Sequence, residues 1–318
     1  AGCSLPAYAS IPCKENSGLA ERGTAYNAVT EAVFREGLLD VVFLQTADPY
    51  RYKRMLDATA RTITEYCRRH GYTYESYVGI KRGYFPWHAT FNRMFQFREL
   101  VDREFSGWAV YLDADAYIND LDFDLDAYLD RFGQRAGIMT TIPGAPHPWC
   151  INAGVILLNL GNASAREIVR RWLDKYLRIE DDRLRGMSVW DDSESDQSML
   201  FDVLCEDSAL RDAIHYDDGA TVNSSDAIFI RQLLRSLSTD IDTRTNMLEA
   251  LSGQLLSDRK SASLQVVAAL YRGLLRREPD DGGLASYARL VDASGLEEGT
   301  RLVAHELVHS DEYKALQS

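Results

Sequence analysis

The run Trp108-Ala-Val-Tyr-Leu112, followed at once by Asp113-Ala-Asp115, limits this chain more than any other stretch. Apolar, aromatic and β-branched residues over that length read as a buried strand. Two carboxylates one residue apart at its end leave the sheet at its C-terminal edge, where open α/β sheets bind their ligands. Hard oxygen ligands there suit Mg²⁺ or Mn²⁺, which bridges protein carboxylates to substrate phosphates. The expectation is a metal and nucleotide-phosphate site, although an Asp-x-Asp after an apolar run also arises by chance. Two other readings fail on the residues. An EF-hand calcium loop needs Gly at its sixth position and Glu at its twelfth, and here those are Ile118 and Asp124. A phosphatase with an aspartyl nucleophile needs downstream Lys and acidic partners, and no convincing set is present.

The remaining pattern predicts an α/β fold around that strand. Asp40 to Asp48 reads as a second buried strand, closed by Pro49. Tyr52 to His70 has helical spacing in Met55, Leu56, Thr59, Ile63, Tyr66 and Cys67, Gly71 sits at the C-cap position, and Tyr72 to Ile80 alternates like a strand. Strand, helix, strand implies a right-handed crossover and a mostly parallel sheet. Pro86 opens a helix over Trp87 to Phe105, with Arg93 off its aromatic stripe, on a solvated face or at a phosphate. Asp120 to Asp126 alternates acids with Leu121, Phe123 and Leu125, the pattern of a half-buried edge rather than of a ligand cluster.

Further on, Ala136 to Ile142 reads as a strand, and Asn152-Ala-Gly154 precedes another. Small residues there either let a ligand approach the backbone or mark a bulge. Ala163 to Arg178 is helical, and Asp196 reads as the N-cap of a helix over Ser198 to Cys205, which sets Asp196-Gln197 at a cleft. Ala213 to Tyr216 reads as a short strand and Ala227 to Ser238 as a helix. The expected organisation is a loose arm over 1–23, a domain over 24–239 that opens with a short helix from Thr24 to Leu39, a linker over 240–261 and a helical module over 262–318.

With 318 residues the chain has room for that arrangement, and a net charge of −13 argues against nucleic acid or an anionic membrane as the main partner. No apolar run reaches the length of a membrane span, and the five scattered cysteines carry no metal spacing. A reduced, cytoplasmic protein is the expectation.

Several of these segments together resemble glycosyltransferases of the GT-A fold. They are Thr46-Ala-Asp48, Tyr66-Cys-Arg-Arg-His-Gly-Tyr72, Tyr111-Leu-Asp-Ala-Asp115, Asn152-Ala-Gly154 and Asp196-Gln197, in that order over roughly residues 38 to 235. The resemblance is to the retaining family of fungal α-galactosyl and α-mannosyl transferases and plant xyloglucan xylosyltransferases, with their bacterial relatives. It implies a mixed, mostly parallel Rossmann-like sheet flanked by helices, a UDP- or GDP-linked sugar donor, and Mn²⁺ or Mg²⁺. By motif match, Asp113 and Asp115 take the metal and the donor ribose, while Thr46, Ala47 and Asp48 lie at the nucleotide. Asn152, Ala153 and Gly154 lie near the donor sugar, Asp196 and Gln197 beside its anomeric carbon, and Arg93 where the family has a basic residue. The chain departs from the family at the third metal ligand, a His after the last sheet strand. The matching stretch, Ala227 to Arg235, has none; His215, upstream, is the candidate, and without a metal Arg231 or Arg235 is left to hold the phosphates.

The tail, Val267 to Gly283 with His309-Ser-Asp-Glu-Tyr313, resembles a small bacterial helical module of unknown function, which implies docking of a protein or an acceptor. The acceptor is a glycan, a lipid-linked precursor or a protein. Two rival functions stand beside transfer: a non-catalytic sugar or nucleotide-sugar binder, and a nucleotide-sugar hydrolase.

Overall fold

A computed structural model of the chain describes residues 26–29, 39–190, 194–235 and 237–317. Its centre is a seven-stranded sheet in the order β1-β3-β2-β4-β7-β6-β8, formed by Tyr26–Val29, Thr73–Val78, Val41–Ala47, Trp108–Leu112, Ile151–Asn159, Gly137–Thr141 and Ile214–Asp217. The β3, β2 and β4 strands are parallel neighbours, β7 runs against both β4 and β6, β8 is parallel to β6, and β1 lies antiparallel on β3. The expected α/β architecture with an all-helical C-terminal part is therefore the one observed.

Every residue of β2 and β4 is buried, because alternate side chains enter cores on both faces of the sheet. Val42, Leu44, Ala109 and Tyr111 face α2 (Asn92–Asp102), α4 (Ala163–Leu177) and α6 (Asp196–Glu206). Val41, Phe43, Trp108 and Val110 face α1 (Lys53–His70) and α3 (Leu125–Asp130). Two short helices, α5 (Asp181–Gly186) and α7 (Ser208–Asp212), complete the helical set of this part. Gly71 ends α1 in the left-handed region, at φ 75°, as its C-cap position required.

The chain leaves β2, passes through α1 to β3 on one side, then through α2 to β4 on the other. The sheet order thus reverses between β2 and β4, and the crevice outside their C-terminal ends is the switch point of the fold. Over that crevice lies a second sheet in the order β5-β10-β9, from Ala116–Ile118, Ile230–Gln232 and Val222–Ser224.

Four expectations change. Ala227 to Ser238 is not a helix: Ala227 and Phe229 are buried while Ile228 is exposed, the period of a strand, and β10 pairs antiparallel with β5. The helix expected over Trp87 to Phe105 starts as a 3-10 turn, Pro86–Phe91, before α2. Tyr26–Val29 is a strand where a helix was expected, while the arm 1–23 lies outside the described residues. The fourth is the largest. Residues 240–261 are no linker but most of α8, Ile241–Leu270, whose N-terminus Asp240 caps through the Thr243 N–H at 2.7 Å. The buried stripe of α8 runs Arg244, Thr245, Leu248, Ser252, too polar for an apolar period to reveal it.

The first half of α8 packs Leu248 against Met55 and Leu56 of α1. Its second half joins a separate core with the π-helical turn Tyr271–Leu275, α9 (Asp281–Ser294) and α10 (Leu296–His309), followed by α11 (Asp311–Gln317). Among the described residues no helix is long and apolar enough to cross a membrane, and Cys67 and Cys205 are free thiols. Leu248→Ala, which deletes a fully buried side chain from the α1–α8 seam, is expected to cost about 2–5 kcal/mol in urea unfolding. A loss below about 0.5 kcal/mol, the range of ordinary surface changes, would show that the seam is not part of the folded core.

Candidate functional site

Outside the switch point, one buried guanidinium collects three segments. Arg93, on the first turn of α2 and only 3% exposed, gives Nη2 to Asp113 Oδ1 at 2.6 Å, Nε to the Thr90 carbonyl at 3.1 Å and Nη1 to the Ala153 carbonyl, and Asp196 Oδ2 is ion-paired with it 3.1 Å from Nε. Its Cζ lies 4.5 Å from the Tyr111 ring centroid. Burial works against the charge of Arg93, but Asp113 and Asp196 outweigh it and hold the guanidinium above its ordinary range. Burial also pushes the Asp113 carboxyl up, to about 7, against the pull of Arg93 and with help from Asp115 and Asp196. Asp196 is raised by burial too. Arg93 is thus the hub of the site and not a solvated face residue.

The second carboxylate of the motif has its own partners. Asp115 Oδ2 accepts from Arg244 Nη1 at 2.8 Å, and Asp115 Oδ1 accepts from Gln232 Nε2 at 2.9 Å. Gln232 Nε2 also lies 3.5 Å from Asp113 Oδ2, so its amide nitrogen sits between the two carboxylates. The sheet register puts it there, since Gln232 pairs with Ala116, and the Leu233 N–H binds the Asp115 carbonyl at 3.0 Å.

The Asn152 segment closes the ring. Asn152 Oδ1 accepts the Gly154 N–H at 3.0 Å, and Asn152 Nδ2 gives to Gln232 Oε1 at 3.1 Å. A Cβ on Gly154 would lie 2.3 Å from Gln232 Nε2. The small residue therefore makes room for a protein amide. Gln197 Oε1 takes the Ala153 N–H at 3.0 Å.

The remaining expectations divide. Thr46, Ala47 and Asp48 do reach the same edge, at the end of β2, but their side chains are buried: Thr46 Oγ1 binds the Tyr77 carbonyl at 3.0 Å, and Asp48 accepts the N–H groups of Tyr50, Arg51 and Tyr52. Asp48 is thus the anchor of the turn into α1. Asp196 is the first residue of α6 rather than its N-cap, which is Ser195, and it is 2% exposed. His215 is far from the pair: it stacks on Phe132, 4.1 Å between ring centroids, beside the end of α3. Its place on β8, opposite Ile138 and two residues short of Thr140, is back from the C-terminal edge.

Mn²⁺ or Mg²⁺ at Asp113 and Asp115 does not fit this donor set. Among the described residues no group of three His, Cys, Asp or Glu side chains gathers as metal ligands. Both oxygens of Asp115 already accept N–H donors, and the Gln232 amide N–H₂ fills the place between the carboxylates. Turning that amide to present its oxygen to the carboxylates would set its N–H₂ against the Asn152 Nδ2 donor, because the Gly154 N–H fixes Asn152.

Sequence reasoning missed Gln232 and Arg244, and it also missed Trp190 beside the rim. Arg235, raised only as a substitute phosphate holder, is exposed at that rim, its guanidinium 3.4 Å from the Tyr52 hydroxyl and 5.5 Å from the Trp190 ring. The missing His in Ala227 to Arg235 was the one signal that another residue type stands there.

No protein-family profile and no curated protein sequence matches the chain. Among solved structures it is similar to a glycosyltransferase involved in the glycosylation of the major capsid of PBCV-1, with 17% identity and a TM-score of 0.48 over 66% of this chain and 99% of that one. It is also similar to the apo-form glycosyltransferase GlyE of Streptococcus pneumoniae TIGR4, with 14% identity and a TM-score of 0.40 over 69% and 64% of the two chains. A third is the galactosyltransferase LgtC in complex with donor and acceptor sugar analogues, with 12% identity and a TM-score of 0.39 over 67% and 95%. Likenesses this distant carry no residue-level correspondence.

Arg93→Met should cost about 3–5 kcal/mol in urea unfolding at neutral pH, since it leaves the buried Asp196 and the half-buried Asp113 without their cation. Their folded-state pKa values, already raised in the wild type, then rise further, so the variant's folded state binds more protons and regains stability relative to wild type as pH falls. The gap to wild type is expected to narrow from pH 7 to pH 5; a gap that stays constant would mean the carboxylates do not depend on Arg93.

Proposed function

We propose that the chain transfers a sugar from a nucleotide-sugar donor to an acceptor hydroxyl at the edge where Asp113, Asn152 to Gly154 and Gln197 meet. One observation carries the reading. Three segments far apart in sequence converge on Arg93 outside the switch point between β2 and β4, the place where open α/β sheets take nucleotides.

The groups left toward the crevice suit a polyhydroxylated ligand. The Asp113 side chain is 31% exposed and accepts hydrogen bonds from hydroxyls. Gln197 is half-buried with its oxygen on Ala153, which leaves its N–H₂ as a donor for a sugar hydroxyl. Asp196, turned onto Arg93, acts through that guanidinium, as a positioning residue that holds the cation over the donor side of the site. Gln197 is then the member of the pair that meets the sugar. In this reading the sugar is transferred with retention, as the resemblance implies, and the helical tail, tied to this edge by α8, docks the acceptor.

A panel of UDP- and GDP-linked sugars in thermal unfolding tests the reading. One donor is expected to raise the stability of the folded chain by mass action, about 2.7 kcal/mol at a hundredfold excess over its dissociation constant. Asp113→Asn should weaken that donor at least about tenfold, a loss of about 1.4 kcal/mol. If no nucleotide sugar shifts the transition, the donor site is misassigned. Sugar release that no acceptor alters would make the protein a hydrolase, and binding without turnover would make it a binding protein.

A further inference from the structure

We propose, on the donor reading above, that this chain binds its nucleotide diphosphate without a divalent cation: Gln232 and Arg244 close the acidic pair from within, and Arg235 is the cation that meets the phosphates. A metal in such a site brings positive charge between two carboxylates and fixes their orientation. Here both tasks are carried out by side chains. Arg244, 1% exposed, holds Asp115 Oδ2 at 2.8 Å and the Leu233 carbonyl at 3.0 Å, so it ties the pair to the strand end that bears Gln232. Its own position is fixed by α8, whose Asp240 cap precedes it by one turn and whose Leu248 follows by another.

The Gln232 amide is oriented by a chain of donors and acceptors with one consistent solution. The Gly154 N–H sets the oxygen of Asn152, the N–H₂ of Asn152 sets the oxygen of Gln232, and the N–H₂ of Gln232 must then face Asp113 and Asp115. A hydrogen-bond donor thus stands where a bridging cation would have to enter. Arg231, the other basic residue of β10, gives its Nε to the Ala227 carbonyl. Arg235 remains accessible, with the Tyr52 hydroxyl and the Trp190 ring as neighbours. A guanidinium stays protonated throughout the physiological range, so Arg235 is a permanent cation at the rim.

The test uses the full chain, with Mn²⁺ followed by its electron paramagnetic resonance signal and UDP and GDP followed by calorimetry. The wild type is expected to leave the free Mn²⁺ signal intact, and the nucleotide dissociation constant should change by less than about twofold between EDTA and excess Mn²⁺. Arg235→Ala should weaken the nucleotide at least about tenfold in EDTA. Gln232→His, which restores a ligand without touching the buried helix, and Arg244→Gln in that background should quench the Mn²⁺ signal by binding the ion. Stoichiometric Mn²⁺ uptake by the wild type, or nucleotide binding that EDTA abolishes, would overturn the proposal while leaving the donor reading in place. Binding of neither nucleotide under either condition would overturn both.

Discussion

The guanidinium of Arg93 is the point on which the site depends. An arginine carries its donors in a rigid planar fork, so it can serve several acceptors at once only if the protein sets each at a fixed angle. Asp113 comes from the end of β4, Asp196 from the start of α6 and the Ala153 carbonyl from β7, and all of them are held by elements whose backbones belong to the main sheet or pack on it. Buried charge is costly unless it is paired and fully hydrogen-bonded. The segments therefore have little freedom to separate, and the same interaction that gathers the polar groups also defines their geometry.

The α/β core was legible because its strands and helices keep clean periods. β4 is apolar throughout and ends in acids, α1 shows its buried stripe in the chain, and Gly71 marks its end. Asp113, Asp115, Asn152 and Gln197 were found at the crevice for the same reason, since each lies at the edge of an element that the pattern reveals. Arg93 was expected off the stripe of its helix, yet it lies on the buried face with Phe97 and Leu100 and meets an acidic cluster there.

Other features had no local signature. β10 is a strand of three residues, too short for alternation to outweigh the helical look of Ala227 to Ser238. Gln232 meets Asp115 across 117 residues of chain, and Arg244 meets it across 129, so neither contact follows from spacing. Thr46 and Asp48 reach the expected edge with their side chains otherwise engaged. Small polar residues at a strand end suit a ligand, but they equally satisfy nearby backbone: the Asp48 side chain binds the next turn and the Thr46 hydroxyl the Tyr77 carbonyl on β3.

At about 1.5 Å per residue, the thirty residues of α8 span roughly 45 Å. That rod starts beside the acidic pair and ends inside the C-terminal helical core, so the α1–α8 seam and that core share one piece of regular structure. The boundary drawn by hydrophobic packing and the boundary drawn by chemistry consequently fall in different places. Modularity is lost at this joint: an exchange of tails made anywhere before residue 244 would carry a site residue away with the tail, whereas one made beyond Ser252 would keep the site whole. Diversification of the tail can then proceed by substitution or by recombination inside the second half of α8, but not by grafting at its visible start.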